Sequence, residues 1–262
     1  MLSVIIPVYK DPLSKKTIES LLFNATGRIE VIAVLDGCWL APEHIVEDER
    51  VHYLHLGKGR GMREAINAGV SIARGDYLMR TDSHCLFGPG YDEIITKNMK
   101  DNWIVTPRRF FLDPEKWKIM ELPCIDYERL GVQTVGDGKK FSGVPWDERK
   151  KERKDIPIDE TMSMQGSCWF MKKSWWDKVI KRLDSEKYGP LLQDSHEMIF
   201  KTWKAGGHMM VNKNTFFAHK HVSFPRTHQH STADAERETR AFYEEWQDYY
   251  RNEIKPKWRK LA

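Results

Sequence analysis

The sequence of 262 residues predicts an α/β fold with a mostly parallel central sheet. Through the first hundred residues, short apolar runs typical of buried strands alternate with segments of helical spacing. Strands that alternate with helices form βαβ units, which build parallel sheets. Hydrophobic residues make up 40% of the chain and charged residues 31%. This composition fits one large folded domain and excludes collagen-like and wholly disordered classes.

Each element of the first half follows from a local pattern. Residues 29–35 form a nearly continuous apolar run, as strands buried on both faces do. Residues 14–23 have helical spacing, and Gly57 to Gly61 lead into a second helix that Gly75 is expected to end. The predicted strands of this half are residues 3–8, 29–35, 51–56 and 76–81.

The second half is expected to be less regular at first, because five prolines interrupt residues 101–165: Pro107, Pro114, Pro123, Pro145 and Pro157. The charge run 146–155 predicts a solvated loop or helix face. Later elements are a strand at 166–171, a helix at 174–183 capped by Ser174, a helix at 191–205 ended by Gly206, a strand at 208–211, and a polar helix at 234–254. The aromatic stripe of that last helix predicts packing.

Composition narrows the environment of the protein. The four cysteines lie far apart without a CxxC pair, which favours free thiols in a reducing compartment. The chain starts directly with an apolar β-branched run, and no window approaches the ~18–20 apolar residues of a membrane-spanning helix. We therefore expect a soluble cytoplasmic protein without a signal peptide. A net charge of +4 is by itself no signature of nucleic-acid binding.

Three predicted strands are followed by aspartates, namely Asp11, Asp36 and Asp82. Because ligands bind outside the carboxyl ends of strands in open α/β sheets, these carboxylates are expected to gather at one edge. Asp82 and His84 are two residues apart just past a strand, so that they can share one divalent ion. Oxygen ligands with a nitrogen suit Mn²⁺ or Mg²⁺ holding a diphosphate better than they suit structural zinc.

Several motifs resemble those of known families. Residues 3–9 (SVIIPVY), 34–37 (VLDG) and 73–77 (ARGDY), with Asp82 six residues after Asp76, are similar to the nucleotide-sugar-binding half of family 2 glycosyltransferases, which have the GT-A fold. Residues 82–85 (DSHC) resemble instead the metal motif of the polypeptide N-acetylgalactosaminyltransferases, another GT-A family. Residues 200–207 (FKTWKAGG) are similar to a segment that both families share. The resemblance covers about residues 3–99 and 161–221.

The resemblance implies a uridine diphosphate sugar as donor. It assigns donor contacts to Pro7, Tyr9, Asp36, Arg63 and Asp82. It also implies a metal ion held by Asp82, His84 and a further histidine, either His219 or its near neighbour His221.

On the acceptor side, the resemblance places Asp194 where inverting family 2 enzymes have the base that deprotonates the acceptor hydroxyl, with Glu197 as the alternative base. Gly166 is expected to let the acceptor approach the backbone, and Trp169 to stack on it or pack in the core. Inversion and retention both remain open, because the N-acetylgalactosaminyltransferases are retaining enzymes and need no such base.

These assignments divide the chain into a catalytic domain and an extension. Residues 1–221 form the GT-A domain, with a nucleotide-sugar half at 1–99 and an acceptor half at 100–221; residues 222–262 form a lid loop followed by the C-terminal helix. The acceptor is expected to be a saccharide or another polymer. DNA with hydroxymethylated pyrimidines is an alternative, on the basis of basic-aromatic segments at 108–111, 116–118 and 257–260. An inactive binding module is the third hypothesis.

Overall fold

The computed structural model of the protein describes residues 1–221 and 232–259. The strands are β1 (Leu2–Val8), β2 (Ile29–Asp36), β3 (Val51–Leu56), β4 (Tyr77–Thr81), β5 (Cys85–Phe87), β6 (Trp103–Asp113), β7 (Lys118–Ile119), β8 (Glu128–Val135), β9 (Gly138–Pro145), β10 (Ile158–Glu160), β11 (Cys168–Lys172) and β12 (His208–His219). The helices are α1 (Ser14–Asn24), α2 (Met62–Ile72), α3 (Tyr91–Thr96), α4 (Asp147–Glu152), α5 (Lys173–Trp175), α6 (Ser185–Tyr188), α7 (Asp194–Lys204), α8 (Thr232–Tyr249) and α9 (Lys255–Arg259).

One large sheet organises the molecule, in the strand order β10-β12-β6-β11-β4-β1-β2-β3. β1 pairs in parallel with β2 and β4, and β2 pairs in parallel with β3. The parallel sheet predicted for the first half is therefore present. In the second half, β11 lies antiparallel between β4 and β6, whereas β6 and β12 are parallel. The α/β class is confirmed, and the complete sheet is mixed.

Helices cover both faces of the sheet, which explains the nearly continuous apolar strands. Ile5 of β1 belongs to the same buried cluster as Ile66 of α2, on one face. The neighbouring residues Val4 and Ile6 point the other way and belong to the cluster that contains Ile18 of α1. Because both faces of β1 and β2 are buried, polar groups in this half collect at the strand ends.

Residues 101–165 contain more regular secondary structure than we expected from their five prolines. β6 runs for 11 residues straight through Pro107, and β8 and β9 form an antiparallel hairpin that ends at Pro145. Pro107 pairs with Asn212 of β12 just where the register shifts to Phe216, so that the missing N–H falls at a bulge. The expected interruption at this proline was wrong for that reason.

Two predicted helix boundaries were also wrong. α2 ends at Ile72, so that Gly75 lies three residues beyond the helix. Gly75 is instead closely packed: a Cβ added to it would clash with the Met1 carbonyl oxygen and with Ser3. Lys172, not Ser174, precedes α5, which continues into a π-helical turn at Trp176–Ile180. The C-terminal part of the predicted helix 174–183 is thus irregular.

The aromatic stripe of the C-terminal helix packs as predicted. Phe242 of α8 makes an edge-on contact with Phe141 of the β8–β9 hairpin, and Trp246 packs against Phe200 of α7. After a π-helical turn at Tyr250–Ile254, α9 buries Trp258 against Trp146. The predicted lid falls largely on residues 222–231, outside the described residues. Among the described helices, none is both long enough and apolar enough to cross a bilayer.

The cysteines are free thiols, in agreement with the sequence prediction. Cys38, Cys85 and Cys168 are buried and Cys124 is half-buried. Burial raises the pKa of the Cys38, Cys85 and Cys168 thiols above the ordinary value.

Candidate active site

A cavity of about 430 Å³ opens at the carboxyl edge of β1, β2 and β4. All three aspartates that follow predicted strands, Asp11, Asp36 and Asp82, contribute to its lining. The gathering predicted from the strand ends is therefore confirmed. The other predicted site residues that line the cavity are Pro7, Tyr9, His84, Gly166, Asp194, His219 and His221.

Three side chains converge on one point of this cavity. His219 Nε2 lies 3.0 Å from Asp82 Oδ2, and His84 Nε2 lies 3.9 Å from the same oxygen. The sheet explains why residues so distant in sequence meet. Asp82 follows β4, and His219 ends β12 opposite Cys85 of β5, the residue next to His84. A ligand atom from each of the three lies within 4.8 Å of those from the others.

The surroundings of Asp82 keep it ionised. Burial alone would raise the pKa of its carboxyl group, but Arg80, His219 and His84 more than offset that effect and hold the pKa well below its ordinary value. Asp11 fixes the orientation of the His84 ring, because Asp11 Oδ2 lies 2.8 Å from His84 Nδ1. The site therefore combines a carboxylate with two imidazoles at the floor of a cavity.

This donor set fits a divalent ion such as Mn²⁺ or Mg²⁺. Octahedral ligands at about 2.1 Å from an ion lie about 3 Å from their neighbours. The 3.0 Å between Asp82 Oδ2 and His219 Nε2 matches that spacing. His221 stands outside the group of three: its ring packs at 4.9 Å from that of His219 and at 5.2 Å from that of Phe111. The geometry thus favours His219 over His221 as the third ligand.

Asp36 and Tyr9 lie at the end of the cavity next to β2. Asp36 accepts hydrogen bonds from the backbone N–H groups of Arg60 (2.6 Å) and Gly61 (2.8 Å), so that it fixes the turn before α2. Gly61 has φ +89°, a conformation that favours glycine. Donor contact by Pro7, Tyr9 and Asp36 stays a prediction, and the structure places all three at the cavity.

Asp194 is the first residue of α7 and reaches the cavity from the acceptor side. Its Oδ2 is buried and has no hydrogen-bond partner among the described residues. Gly166 lies directly opposite, since a Cβ added there would stand 3.6 Å from Asp194 Oδ2 and 3.2 Å from Ser195 Cβ. The N-terminus of a helix favours an ionised carboxylate. This arrangement is suited to a base that accepts a proton from a hydroxyl group.

Three predicted site residues do not line the cavity. Arg63 and Glu197 are both fully buried and form an ion pair with each other, with Nε and Oε2 3.1 Å apart. Trp169 is fully buried in the core, where its ring stacks on that of Trp176 at 6.0 Å. Because these side chains are enclosed by the fold, three expectations are not supported. They are a contact of Arg63 with the diphosphate, a contact of Trp169 with the acceptor, and a role for Glu197 as base.

Arg80 is a site residue that the sequence reasoning missed. Its guanidinium donates to Asp82 Oδ1 at 2.6 Å and also contacts the Gly166 carbonyl and Met62 Sδ. It therefore links Asp82 to Gly166 in the lining of the cavity. The signal was present in the sequence: an arginine inside a buried strand is unusual, and two residues along a strand share one face.

The basic-aromatic segments that suggested a DNA acceptor are largely used inside the molecule. Arg108 pairs with Asp126 at 2.6 Å, and Arg109 is buried against Glu128 at 3.1 Å. Trp258 is buried under Arg149. The interpretation of these segments as a surface for phosphate contact and base stacking is not supported for Arg109 and Trp258, which are buried, or for Arg108, which is ion-paired with Asp126.

His196, next to the site on α7, gives the fold a predictable pH dependence. Burial, with Lys140 and Arg63 nearby, lowers the pKa of this imidazole to about 4, against about 6.5 in the unfolded chain. Below pH 6.5 the unfolded state therefore takes up a proton that the folded state does not, and stability falls until pH reaches about 4. At pH 5 this proton uptake by the unfolded state lowers the free energy of unfolding by about 2 kcal/mol. We expect the free energy of unfolding, measured with urea, to fall between pH 7.5 and pH 5 by about 2 kcal/mol less in His196→Leu than in the original protein. Equal falls in the two proteins would contradict the prediction.

Comparison with known proteins places the chain in a family. Residues 3–180 match the model of glycosyl transferase family 2. The chain belongs to glycosyltransferase family 2. The resemblance seen in the sequence motifs is thereby confirmed.

Bacterial members of family 2 are similar over part of the chain. Glycosyltransferase GlyG of Streptococcus pneumoniae is 30% identical over 105 residues, which are 38% of this chain and 32% of GlyG. Glycosyltransferase EpsJ of Bacillus subtilis is 29% identical over 108 residues, 39% of this chain and 31% of EpsJ. The matched segments thus span about a third of the length of these two relatives.

The fold is similar to that of GalNAc-T7 in a crystal structure with UDP, GalNAc and Mn²⁺. The TM-score is 0.73 and the sequence identity 17%, over 96% of this family 2 chain and 50% of the GalNAc-T7 chain. At that identity the likeness concerns the fold alone. It confirms the predicted GT-A architecture.

Proposed function

We propose that this family 2 protein is a metal-dependent glycosyltransferase, which moves a sugar from a uridine diphosphate sugar to a hydroxyl group of a saccharide or other polymer. The donor is held by residues 1–99 and the acceptor by residues from 100–221. A hexose and an N-acetylhexosamine are both candidates for the transferred sugar.

The observation that carries the proposal is the juxtaposition of two kinds of group in one cavity. Asp82, His84 and His219 form a ligand cluster, and Asp194, whose buried Oδ2 has no hydrogen-bond partner among the described residues, lines the same cavity. Inverting transfer from a sugar nucleotide needs positive charge at the diphosphate leaving group and a base that takes the proton of the acceptor hydroxyl. The cavity offers both at the edge of the sheet where α/β proteins bind ligands.

The residues of the cavity divide the work of transfer. A divalent ion bound to Asp82, His84 and His219 would neutralise charge on the diphosphate. Arg80 holds Asp82 in place through its guanidinium, 2.6 Å from Oδ1. Tyr9 and Asp36, which also line the cavity, would contact the uridine.

In an inverting reaction, Asp194 accepts the proton of the acceptor hydroxyl. The acceptor oxygen then forms a bond to the anomeric carbon while the bond from that carbon to the phosphate oxygen breaks, and UDP leaves. The carboxylate of Asp194, which lines the cavity, is the group that would take the proton. Inversion is therefore the mechanism that we propose; a retaining reaction would not need this base.

The known proteins support parts of this proposal. Family 2 membership supports glycosyl transfer. The crystal structure of the similarly folded GalNAc-T7 was determined with UDP, GalNAc and Mn²⁺, which supports a UDP-sugar and manganese here. A DNA acceptor is no longer favoured, since Arg109 and Trp258 are buried and Arg108 is ion-paired with Asp126.

The test is the release of UDP from a panel of UDP-glucose, UDP-galactose, UDP-N-acetylglucosamine and UDP-N-acetylgalactosamine, with a mixture of oligosaccharide acceptors. We expect release from at least one donor with Mn²⁺, loss of release with EDTA, and recovery when Mn²⁺ is restored. Mass spectrometry of the acceptors identifies the product. If UDP is released from no donor and calorimetry shows no UDP binding, the proposal is wrong. Binding of UDP without its release from any donor would indicate an inactive binding module.

A further inference from the structure

The ion pair between Arg63 and Glu197 joins the two halves of the protein. Arg63 lies in the first turn of α2 and Glu197 in the first turn of α7, 134 residues apart in sequence. Both side chains are fully buried, with Nε and Oε2 3.1 Å apart. A buried pair of this kind adds little net stability compared with apolar side chains, so stability alone does not explain why the pair is present.

Arg63 also holds the loop of residues 189–193, which lies between α6 and α7. Its Nη1 donates to the carbonyl oxygens of Gly189 (3.0 Å) and Leu192 (2.5 Å), and its backbone N–H donates to Pro190 at 3.1 Å. Three of the five residues in the loop are thus bound by one arginine. Lysine has the charge of arginine but not the fork of planar donors that reaches two carbonyls at once.

The 189–193 loop leads directly into Asp194. Leu191, Leu192 and Gln193 line the cavity, and Gln193 has the left-handed φ of +64° that turns the chain into α7. Because Asp194 Oδ2 has no hydrogen-bond partner among the described residues, its direction depends on the backbone that carries it. Glu197 fixes that backbone one turn further on, through its pair with Arg63.

The donor side is attached to the same loop. Asp36 binds the N–H groups of Arg60 and Gly61, and Gly61 packs so closely on the loop that an added Cβ would stand 2.4 Å from Pro190 Cβ. The turn that Asp36 fixes is therefore in direct contact with the segment that aims Asp194.

We propose that Arg63 is a positioning residue, which holds the 189–193 loop and the first turn of α7 so that Asp194 faces the reacting hydroxyl. The inference rests on the proposed function, in which Asp194 is the base. It replaces the expected contact of Arg63 with the diphosphate, and the two roles differ in their kinetics. Loss of a diphosphate contact raises the KM of the donor, whereas misplacement of a base lowers kcat.

The experiment compares Arg63→Lys and the double variant Arg63→Met/Glu197→Gln with a matched control, Arg149→Lys. The double variant removes both fully buried charges, and the amide oxygen that Glu197→Gln introduces can still accept the N–H of Asp184, which Glu197 binds at 3.0 Å. Lys201, which pairs with Glu197 at 2.7 Å, is partly exposed and keeps the Arg182 carbonyl oxygen as an acceptor at 2.8 Å. Arg149 is also buried and paired with an acid, Asp159, but does not line the cavity. Thermal melting identifies a temperature at which all variants are folded.

For UDP release with Mn²⁺, we expect kcat to fall about 10–100-fold in both Arg63 variants, since small misplacements of reacting groups cost up to about 10²-fold. The KM of the UDP-sugar should stay within about 2-fold, because the guanidinium does not reach the cavity. Arg149→Lys should keep its kcat even where it loses thermal stability. An unchanged kcat in the double variant, or a fall in kcat of equal size in the control, overturns the inference.

A second measurement does not depend on catalysis. Lys187 of α6 lies two residues before Gly189, the start of the loop. A released loop should let trypsin cut after Lys187 about 5-fold faster in the double variant, with no change in Arg149→Lys. Mass spectrometry locates the cut. If the original protein releases no UDP from any donor, the proposed function fails and this cleavage alone decides whether Arg63 holds the loop. Equal cleavage in the original and the double variant shows that it does not.

Discussion

Asp82→Ala is expected to lower manganese-dependent UDP release by about 10³-fold, one of the two largest effects that the structure predicts. Asp82 is the group that the others of the cluster share: His219 lies 3.0 Å from Oδ2, His84 3.9 Å from it, and Arg80 2.6 Å from Oδ1. Without this carboxylate, three cationic or neutral groups face one another with no anion between them. Calorimetric titration with Mn²⁺ should show the loss of binding directly.

The alanine variant leaves Arg80 buried without its acid, which is costly to the fold. Asp82→Asn keeps the volume and one acceptor oxygen, and should fold while binding Mn²⁺ far more weakly. Asp126→Ala is the matched control, since Asp126 is also a buried aspartate paired with an arginine, Arg108, but lies outside the cavity. Metal binding and turnover should survive in the control. Full manganese dependence in Asp82→Asn would show that the ion binds elsewhere.

Asp194→Asn is expected to lower kcat by about 10²–10⁴-fold and to leave the KM of the UDP-sugar nearly unchanged. The amide has the shape of the carboxylate but cannot accept a proton from the acceptor hydroxyl. Stopped-time assays of UDP release and of glycosylated product supply both constants. Binding of UDP and Mn²⁺ should persist, because Asp194 lies across the cavity from the ligand cluster.

Asp147→Asn is the control for this substitution. Asp147 is the first residue of α4, as Asp194 is of α7, so both changes remove a carboxylate that interacts favourably with a helix N-terminus. Asp147 does not line the cavity and its variant should keep its kcat. If Asp194→Asn keeps full activity as well, the reaction does not use this base, and the retaining mechanism becomes the better description.

Much of the candidate site could be predicted from short motifs. Asp82 and His84 follow a predicted strand, so their position at the carboxyl edge of the sheet follows from the strand pattern, whereas Asp194 was indicated by the family resemblance. The choice between His219 and His221 could not be made from the sequence. It depends on the pairing of β12 with β5, which places His219 opposite Cys85.

The failures share one physical cause, namely that a sequence does not state which polar or aromatic side chains are enclosed. Arg63 and Glu197 have the residue types of an active site, yet tertiary packing joins them to each other. Trp169 is in a strand whose two faces are both covered, which leaves no face for a ligand. Pro107 was expected to break a strand and instead lies at a bulge, where no N–H is required.

The support of His84 by Asp11 has a consequence for affinity. Asp11 is itself held by the N–H of Leu13 at 2.9 Å and by the hydroxyl of Ser83, so the carboxylate that faces Nδ1 is not free to turn. A carboxylate there accepts a hydrogen bond from Nδ1, so that Nε2, the ring nitrogen on the side of Asp82, is the one that would bind a metal ion. The imidazole is thus preorganised: its rotational entropy is lost when the chain folds and does not weaken the later binding of a ligand.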